Sequence, residues 1–484
     1  MELDLCSKRE LAYELYNIAV SANKRIICVS DMYYESNFLN KLLQKNGYNK
    51  ISKIYVSSEI GARKDTGDLY DYLLSQENVK PYEILHIGDN EQSDFLIPLS
   101  KGIIAFHLPN NKDLCITKKE TFQKIWANPE NYTPYERIII GYTINKWTEN
   151  IIGSTPQNLF GTKEEMGYFG IGPVLFSIAQ ILCTNSEIQT NYQVIHFASR
   201  DGYLPLKGYE LLRTTVYNNC IEGEYLYAGR MLYNIANYNG DPNRYILDRI
   251  KKYPKDDSFS LRSLLLSTIS PNILKKIKDE IPENYWVKKF NQKYISNFIQ
   301  KNYDIFKNEL NNRYKNICLY YSREVIFNNR GRAIVFDCGY SGSISESIMK
   351  FFNKRFIDKI YLWQTYDNVK KDKINKTKTY LLGQNLNLLR KKTLHLLFEE
   401  IFSKIEPPVY DFKVMDDSII PLFDFDESAI NSKTKDNLLI FQNWAIKYVE
   451  DVIEFFGRNY LSKLLLSSIN FCLEPIESSL ISPT

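Results

Sequence analysis

Short apolar runs that stop abruptly at small polar or acidic residues recur along this 484-residue sequence. In its N-terminal part such runs lie at 25–30, 53–57, 83–88 and 102–107, and segments with helical spacing separate them. Strands that alternate with helices form βαβ units, in which the strands are parallel and helices cover both faces of the sheet. The pattern therefore predicts an α/β fold built on parallel sheets.

The apolar runs fall into two α/β regions joined by a connector. The predicted organisation is a first domain at 1–115, a helical connector at 116–165 and a second domain at 166–484, with a mostly helical insert at 258–328. The length of the chain also favours two domains, because it is long for a single hydrophobic core. The predicted strands of the second domain are 192–199, 224–229, 332–339 and 359–365, and its C-terminal helices are 392–403 and 437–456.

Composition and charge exclude several classes of protein. The 61 basic and 57 acidic residues nearly balance at a net charge of +4, which disfavours a nucleic-acid binder or a strongly basic membrane surface. The N-terminus lacks the apolar core of a signal peptide, and the longest apolar run, 171–183, is too short to span a bilayer. The eight cysteines contain no CxxC pair, so no disulfide framework or zinc site is predicted. We expect a cytoplasmic protein without a transmembrane segment.

Polar residues at two strand ends define the first candidate site. Ser30 ends the strand "IICVS", Asp89 ends "ILHIGD", and Asp94 follows five residues later. Lys64 precedes a helix that is predicted to start near Thr66. The carboxyl ends of parallel strands meet at one edge of a sheet. A hydroxyl, an ammonium and two carboxylates at such an edge suit a phosphate bound beside Mg²⁺.

These residues also resemble a known family. The order of "VSDMY", "SSEIGARKDTGDLY" and "HIGDNEQSD" is similar to motifs II, III and IV of the haloacid dehalogenase-like (HAD) hydrolase superfamily, in a subgroup associated with bacterial surface-polysaccharide genes. The resemblance implies that Ser30 and Lys64 bind phosphate, that Asp89 ligates Mg²⁺, and that Asp94 ligates it indirectly or orients Lys64. The alternative is a nucleotide-fold domain whose strands end in ordinary polar residues.

One motif of that family is not found here. HAD enzymes carry a DxD pair at the end of their first strand, and its first carboxylate attacks phosphorus. Asp4 lacks both the apolar run and the second carboxylate, and Asp31 follows motif II. The expectation is therefore a HAD-like fold lacking motif I and the cap, related to Mg²⁺-dependent phosphatases of surface-polysaccharide metabolism. We expect it to bind Mg²⁺ weakly and to be impaired as a phosphatase.

The second domain, which is predicted to be a Rossmann-like α/β domain, offers another candidate cleft. Its strands "IHFAS", "EYLYAG" and "IVFDCG" each run into a tight turn, and glycines there permit close approach of a ligand to the backbone. A helix that starts after such a turn presents free N–H groups to an anion. The simpler interpretation is a strand-to-helix turn with a structural Arg–Asp ion pair. The candidate residues are Arg200, Asp201, Arg230, Asp337, Gly339, Gly342 and Ser343.

Two further functional hypotheses accompany the HAD-like hydrolase. One is a sugar or nucleotide-sugar transferase that acts through the second domain, and the other is a non-catalytic scaffold of polysaccharide assembly. The expected ligand is a phosphorylated sugar or a nucleotide-sugar, and association with polysaccharide-assembly proteins is a further expectation. No nucleic-acid partner is expected.

Overall fold

The chain is a mixed α/β protein with parallel sheets, and it forms two compact units, Met1–Leu159 and Phe160–Thr484. The helix Pro134–Ile151, in the segment predicted to be a connector, belongs to the first unit. The structure, a computed structural model, describes residues 3, 6–118, 128–151, 160–252, 265, 268–281, 292–338, 342–352, 355–362, 372, 376–383, 388–416, 418–423, 432–473 and 476.

The first unit contains four strands in two separate parallel pairs, β1 with β2 and β3 with β4. Its strands are β1 Ile26–Ser30, β2 Ile51–Val56, β3 Leu85–Gly88 and β4 Ile104–His107. Its helices are α1 Glu10–Ser21, α2 Ser36–Lys45, α3 Ser57–Ile60, α4 Asp68–Glu77, α5 Ile97–Ser100, α6 Asn111–Lys118 and α7 Pro134–Ile151, with short 3₁₀ turns at Pro81–Glu83 and Pro129–Asn131 and a π-helical turn at Glu91–Leu96.

The split into two pairs differs from the single sheet that the sequence predicts. The apolar runs place all four strands, but no hydrogen-bonded ladder joins β1 to β3 within the described residues. The buried core beneath β1 and β2 is small and consists of Tyr55, Leu69 and Leu73. Apolar runs in the sequence predict where strands form. Which strands pair depends on contacts between distant segments, which the runs do not show.

The second unit is organised around a five-stranded, all-parallel sheet in the order β6-β5-β7-β8-β9. Every residue of the central strand β5 is buried, as expected for a parallel sheet covered on both faces. An antiparallel hairpin, β10–β11, stands apart from it. The strands are β5 Val194–Ala198, β6 Glu222–Leu226, β7 Arg332–Phe336, β8 Phe356–Tyr361, β9 Thr379–Leu381, β10 Val409–Val414 and β11 Ile419–Phe423.

This unit contains both short and long helices. Three of its α-helices, Pro271–Ile277, Gln292–Lys301 and Tyr303–Glu324, lie in the predicted insert, and some other insert residues lie outside the described chain. The helices are α8 Lys163–Glu165, α9 Gly172–Thr184, α10 Ser186–Asn191, α11 Tyr203–Thr215, α12 Arg230–Asn234, α13 Pro242–Lys252, α14 Pro271–Ile277, α15 Gln292–Lys301, α16 Tyr303–Glu324, α17 Ser343–Phe351, α18 Leu388–Ile401, α19 Ser432–Phe456 and α20 Arg458–Leu461, with a π-helical turn at Met166–Ile171 and 3₁₀ turns at Ile235–Asn237 and Lys278–Glu280.

One continuous helical stretch, Lys163–Thr184, is long and apolar enough to cross a membrane by length and composition. The run at 171–183 is shorter, so the sequence alone does not show this length. In the structure, 94% of the most apolar window of this stretch is buried inside the protein. Tyr448 of α19 packs so closely against Gly172 that a Cβ at this glycine would lie 2.5 Å from the Tyr448 side chain.

Candidate functional site

The order of strands in the second unit reverses between β5 and β7. From β5 the chain adds β6 on one side, and then returns to add β7, β8 and β9 on the other. Adjacent helices diverge at such a reversal and leave a crevice outside the carboxyl ends of the two strands, where ligands of doubly wound sheets bind. The strands within 192–199 and 332–339, after which the nominated residues Asp201 and Asp337 lie, are neighbours in one sheet.

Backbone hydrogen bonds fix the segments that follow both strands. The Ser199 N–H donates to the Leu226 carbonyl at 2.8 Å, and the Asp337 N–H donates to the Ile360 carbonyl at 3.0 Å. The Cys338 thiol donates to the Asp201 carbonyl oxygen at 3.6 Å, which ties the two segments together. The positions of Asp201 and Asp337 therefore follow directly from the register of the sheet.

Gly202 makes the turn after β5 possible. Its N–H donates to the Ala198 carbonyl at 2.9 Å. A Cβ added at Gly202 would lie 2.5 Å from that carbonyl oxygen, closer than any real Cβ contact. Any side chain here would push the turn away from the strand end. We infer that Gly202 allows Asp201 to sit directly over the end of β5.

A cavity of about 440 Å³, which we call the switch-point cavity, opens at this edge of the sheet. Its volume lies in the range of small-molecule sites. Its walls come from the segments after β5, β6 and β7, from the first turn of α17, from α18, and from the segment that leads into β10. The lining residues are Ser199, Arg200, Asp201, Ala228, Gly229, Tyr233, Asp337, Ser343, Ile344, His395, Glu399, Ser403, Glu406, Pro407, Pro408 and Val409.

Asp201 is a buried carboxyl group in the cavity. Its relative exposure is 8%, and that of Asp337 is 5%. Burial raises the pKa of Asp201 well above the usual carboxyl range, and the negative charges of Asp337 and Glu399 raise it further. Asp201 therefore keeps its proton at pH values where an ordinary aspartate is ionised. The cavity thus combines a carboxylic acid with further acidic groups.

Two acidic side chains from later in the chain complete the walls. The Glu399 carboxylate lies 3.3 Å from His395 Nε2, one helical turn away on α18. Glu406 accepts a hydrogen bond from the Tyr225 hydroxyl at 2.7 Å and pairs with Lys404 Nζ at 2.7 Å. Because Tyr225 belongs to β6, this contact holds the segment before β10 against the sheet.

The structure brings together several of the residues that the sequence nominates. Arg200, Asp201, Asp337 and Ser343 all line the switch-point cavity, with Arg200 exposed at its edge. Ser343 is the first residue of α17, and Gly342 occupies the N-cap position.

Three other nominated residues are not among the lining residues, and one of them is Gly342, the N-cap of α17. Arg230 begins α12 immediately after the lining residue Gly229, but its side chain lies outside the described structure. Gly339 is likewise outside the described residues. Their predicted roles stay predictions.

Sequence reasoning missed the contribution of α18 and of the segment before β10. His395 and Glu399 are four residues apart in a predicted amphipathic helix, a spacing that puts both on one face. This spacing could have indicated that the two side chains lie together. No pattern in the nearby sequence indicates that this face of α18 lies at the ends of β5 and β7, and the nearer strand, β7, ends almost 60 residues earlier.

The first unit places two of its nominated groups, Lys64 and Asp94, in one ion pair. Lys64 Nζ lies 2.6 Å from Asp94 Oδ1, and the His86 Nε2 atom lies 3.0 Å from the same oxygen. The Asp31 carboxylate accepts the Lys64 N–H at 3.0 and 3.1 Å, which connects the end of β1 to the Lys64 loop. The helix after Lys64 begins at Asp68, two residues later than the sequence predicts.

Asp94 is held close to the end of β3 and is ionised there. A Cβ at Gly88 would lie 2.4 Å from the Asp94 carboxyl carbon, so glycine is needed for this approach. Burial alone would raise the pKa of Asp94, but hydrogen bonds from His86 and Lys64 and the charge of Lys64 hold it far below the usual range. The ion pair is therefore present throughout the neutral pH range.

Ser30 and Asp89 occupy strand ends without engaging that ion pair. Ser30 is paired with Val56 at the end of β1, and Asp89 follows β3, where its backbone carbonyl accepts a bond from His107 Nε2 at 3.0 Å. Neither side chain makes a hydrogen bond to another residue in the described part of the chain. They are the two nominated groups whose side chains stay available to a ligand.

The described side chains of the first unit do not by themselves form a magnesium site. Mg²⁺ requires several oxygen ligands in near-octahedral geometry. The Asp94 oxygens already accept bonds from Lys64, His86 and the Asn90 N–H. Among the residues that the structure describes, no group of three or more His, Cys, Asp or Glu side chains is arranged to hold a metal ion. Weak Mg²⁺ binding by Asp89 and Asp94 stays a prediction.

Asp94→Asn is expected to destabilise the first unit by about 2–3 kcal/mol at pH 7, because Lys64 would lose its carboxylate in a largely buried position. Since the folded pKa of Asp94 is lowered, its contribution to stability is complete above the unfolded pKa of about 4 and is lost as pH falls below that value. Hydrogen exchange of β1–β4 peptides, followed by mass spectrometry across pH, measures both effects.

The matched control is Asp71→Asn. Asp71 pairs with Lys101 Nζ at 2.6 Å in the same unit, but its side chain is 60% exposed. An exposed pair contributes about 0–1 kcal/mol. Equal destabilisation by the two substitutions would contradict a structural role for the buried pair.

Comparison of this sequence with protein-family models and with curated proteins finds no match.

Proposed function

We propose that the second unit is a transferase domain that binds a phosphorylated sugar or a nucleotide-sugar in the switch-point cavity. The observation that carries this proposal is the position of the cavity. It lies where the strand order reverses, between the ends of β5 and β7, and each of those ends contributes an acidic residue. Doubly wound sheets bind small ligands at this place. Titratable groups in such a cavity favour a functional role for its residues over a purely structural one.

The chemistry of the walls supports a polyhydroxylated, anionic ligand. Carboxylates accept hydrogen bonds from sugar hydroxyls, and a protonated Asp201 can donate one. Group transfer from a sugar needs a proton for the departing oxygen, and an acid that keeps its proton near neutral pH can supply it. Arg200 and the N-terminus of α17 offer positive charge for a phosphate group.

A binding screen tests this proposal. Hexose 1-phosphates, hexose 6-phosphates and nucleoside-diphosphate sugars are titrated into the 484-residue chain by calorimetry, with thermal shift as a second readout. One of these classes is expected to bind. Arg200→Ala and Asp337→Ala are expected to weaken that binding at least about tenfold, which corresponds to the loss of one charge-assisted contact.

Arg244→Ala is the control for that screen, because Arg244 is exposed on α13 of the same unit and does not line the cavity. Its affinity for the ligand should equal that of the wild type. Failure of all three ligand classes to bind, or binding that neither cavity substitution weakens, would reject the proposal and favour the scaffold hypothesis.

A second candidate function is supported by the Lys64–Asp94 contact. In the HAD-like interpretation, Asp94 either ligates Mg²⁺ indirectly or orients Lys64 toward a phosphate that Ser30 also binds, and the 2.6 Å contact supports the second of these roles. The first unit would then be a phosphate-binding domain of phosphatase type. Calorimetry with inorganic phosphate, with and without Mg²⁺, tests it. Ser30→Ala should abolish binding, whereas Ser75→Ala, an exposed serine on α4, should not.

A further inference from the structure

A pair of thiols lies at the opposite edge of the second-unit sheet from the switch-point cavity. Cys183 is in the last turn of α9, and Cys220 precedes β6, so both lie near the amino ends of the strands. The Cys220 thiol donates to the Cys183 carbonyl oxygen at 3.2 Å, across 37 residues of chain. This contact brings the Cys220 sulfur next to the backbone of Cys183.

Surrounding hydrogen bonds hold the two cysteines in this position. The Gln180 side chain, one turn before Cys183, donates to the Tyr217 hydroxyl at 2.6 Å. The Cys220 N–H donates to the Tyr217 carbonyl at 2.9 Å. The next residue, Ile221, donates its N–H to the Gln189 side chain at 2.8 Å. The loop is therefore fixed on both sides of Cys220, and the proximity of the thiols is built into the fold.

The two thiols have different reactivities. The neighbouring Cys183 thiol lowers the pKa of Cys220; burial opposes this effect, and the positive charge of Arg213 reinforces it. Burial raises the pKa of Cys183 well above its ordinary value. Cys220 is half-buried and Cys183 is buried. A reactive, accessible thiol beside a second thiol is the arrangement in which an initial adduct can be resolved to a disulfide.

We propose that Cys183 and Cys220 form a reversible intramolecular disulfide, with Cys220 as the thiol that reacts first with a low-molecular-weight disulfide. The Cys220 thiolate attacks one sulfur of the reagent, forms a mixed disulfide and releases the first reagent thiolate. Cys183 then loses its proton and attacks the Cys220 sulfur, which expels the second reagent thiolate. Two protein thiols are oxidised to one disulfide, and one molecule of the reagent disulfide is reduced to two thiols.

The disulfide would tie the end of α9 to the loop before β6 without entering the cavity. Because it closes a loop of 37 residues, it restricts the unfolded chain. The disulfide therefore changes the stability of the second unit. The proposal does not depend on any ligand of the switch-point cavity.

Oxidised glutathione is the probe. The reduced 484-residue chain is incubated with it at pH 7, the remaining thiols are alkylated, and peptides are mapped by mass spectrometry without reduction. The expected product is a peptide linked through Cys183 and Cys220, together with a rise in Tm of roughly 5–10 °C. Cys183→Ala should instead accumulate the glutathione adduct on Cys220, and Cys220→Ser should give neither adduct nor link.

Cys318→Ser is the matched control, because Cys318 is also half-buried in the second unit but burial raises the pKa of its thiol. It should form the link at the wild-type rate. In the wild-type chain, the Cys220 thiol should be consumed at least about tenfold faster than the Cys318 thiol. A stable Cys220 adduct that the wild type never converts to the link, or equal reactivity of Cys220 and Cys318, would overturn the proposal. Cys220→Ser replaces a half-buried residue instead of a buried one. Its result therefore still tests the proposal if Cys183→Ala folds poorly.

Discussion

Asp201→Asn is expected to abolish the activity of the second unit while making that unit more stable at neutral pH. Asparagine has the shape of the protonated acid but has no acidic proton to transfer. Turnover of the proposed substrate, a sugar phosphate or a nucleotide-sugar, should therefore fall by about 10²–10⁴-fold, the contribution of a general acid. The same substitution removes an acid whose ionisation the fold opposes. We expect the free energy of unfolding of the second unit to rise by about 1 kcal/mol, as is common when a functional residue that destabilises the fold is replaced.

The pH dependence of this gain follows from the direction of the pKa shift. The folded pKa of Asp201 is raised above the unfolded value of about 4 by burial and by Asp337 and Glu399. The contribution of such a group to stability is complete below the unfolded pKa and is lost as pH rises through the folded pKa. The Tm difference between Asp201→Asn and the wild type should therefore be near zero at pH 4 and should grow as pH increases.

Thermal unfolding from pH 4 to pH 8 measures this difference, and Asp416→Asn is the control because Asp416 is an exposed carboxylate of the same unit. The control should differ from the wild type by a constant amount across that range. If Asp201→Asn lowers the Tm at pH 7, the carboxyl is ionised and stabilising in the fold, and a role as proton donor is excluded. If the Tm rises but turnover is unchanged, Asp201 is protonated but is not the catalytic acid.

Arg313→Met is expected to lower the free energy of unfolding of the second unit by about 3–5 kcal/mol. Arg313 is only 1% exposed on α16. Its Nε and Nη2 atoms donate to the Tyr410 carbonyl at 3.2 and 2.7 Å, and Nη1 donates to the Thr268 carbonyl. Methionine fills most of the volume but leaves both buried carbonyls without these donors.

Loss of this side chain should also separate the hairpin from the helical insert. Tyr410 lies on β10, whereas Arg313 and Thr268 belong to the insert, so the guanidinium joins segments nearly 100 residues apart. Burial raises the pKa of the neighbouring Asp411, and the charge of Arg313 acts against this rise. Without Arg313 the Asp411 carboxyl would be still harder to ionise.

Urea unfolding of the full chain, with hydrogen exchange of β10 peptides as a local readout, measures the effect. Arg323→Met is the control, because Arg323 is an exposed residue of the same helix. It should change the stability by no more than about 0.5 kcal/mol. If Arg313→Met matches this control, the buried guanidinium does not hold the hairpin.

Local patterns in the sequence determine the strands and the polar groups at their ends. Each of β1, β3, β5 and β7 follows from an apolar run of four to six residues that stops at Ser30, Asp89, Arg200–Asp201 or Asp337. Such signals are local, because burial of a strand and the start of a turn depend on neighbouring residues. The place of the candidate acid Asp201 at a strand end therefore follows from the amino-acid sequence alone.

Tertiary structure alone decides which of these ends meet and what surrounds them. It divides the first unit into two strand pairs, adds β9 and the β10–β11 hairpin, and brings Glu399 against Asp201. It also places Cys220 beside Cys183, although no CxxC motif marks the pair. These contacts join residues that lie from 37 to almost 200 positions apart in the sequence. The sequence does not show them, because packing of hydrophobic surfaces is non-directional and leaves no periodic pattern. The raised pKa of Asp201 is thus a property of the fold, while its position after β5 is a property of the sequence.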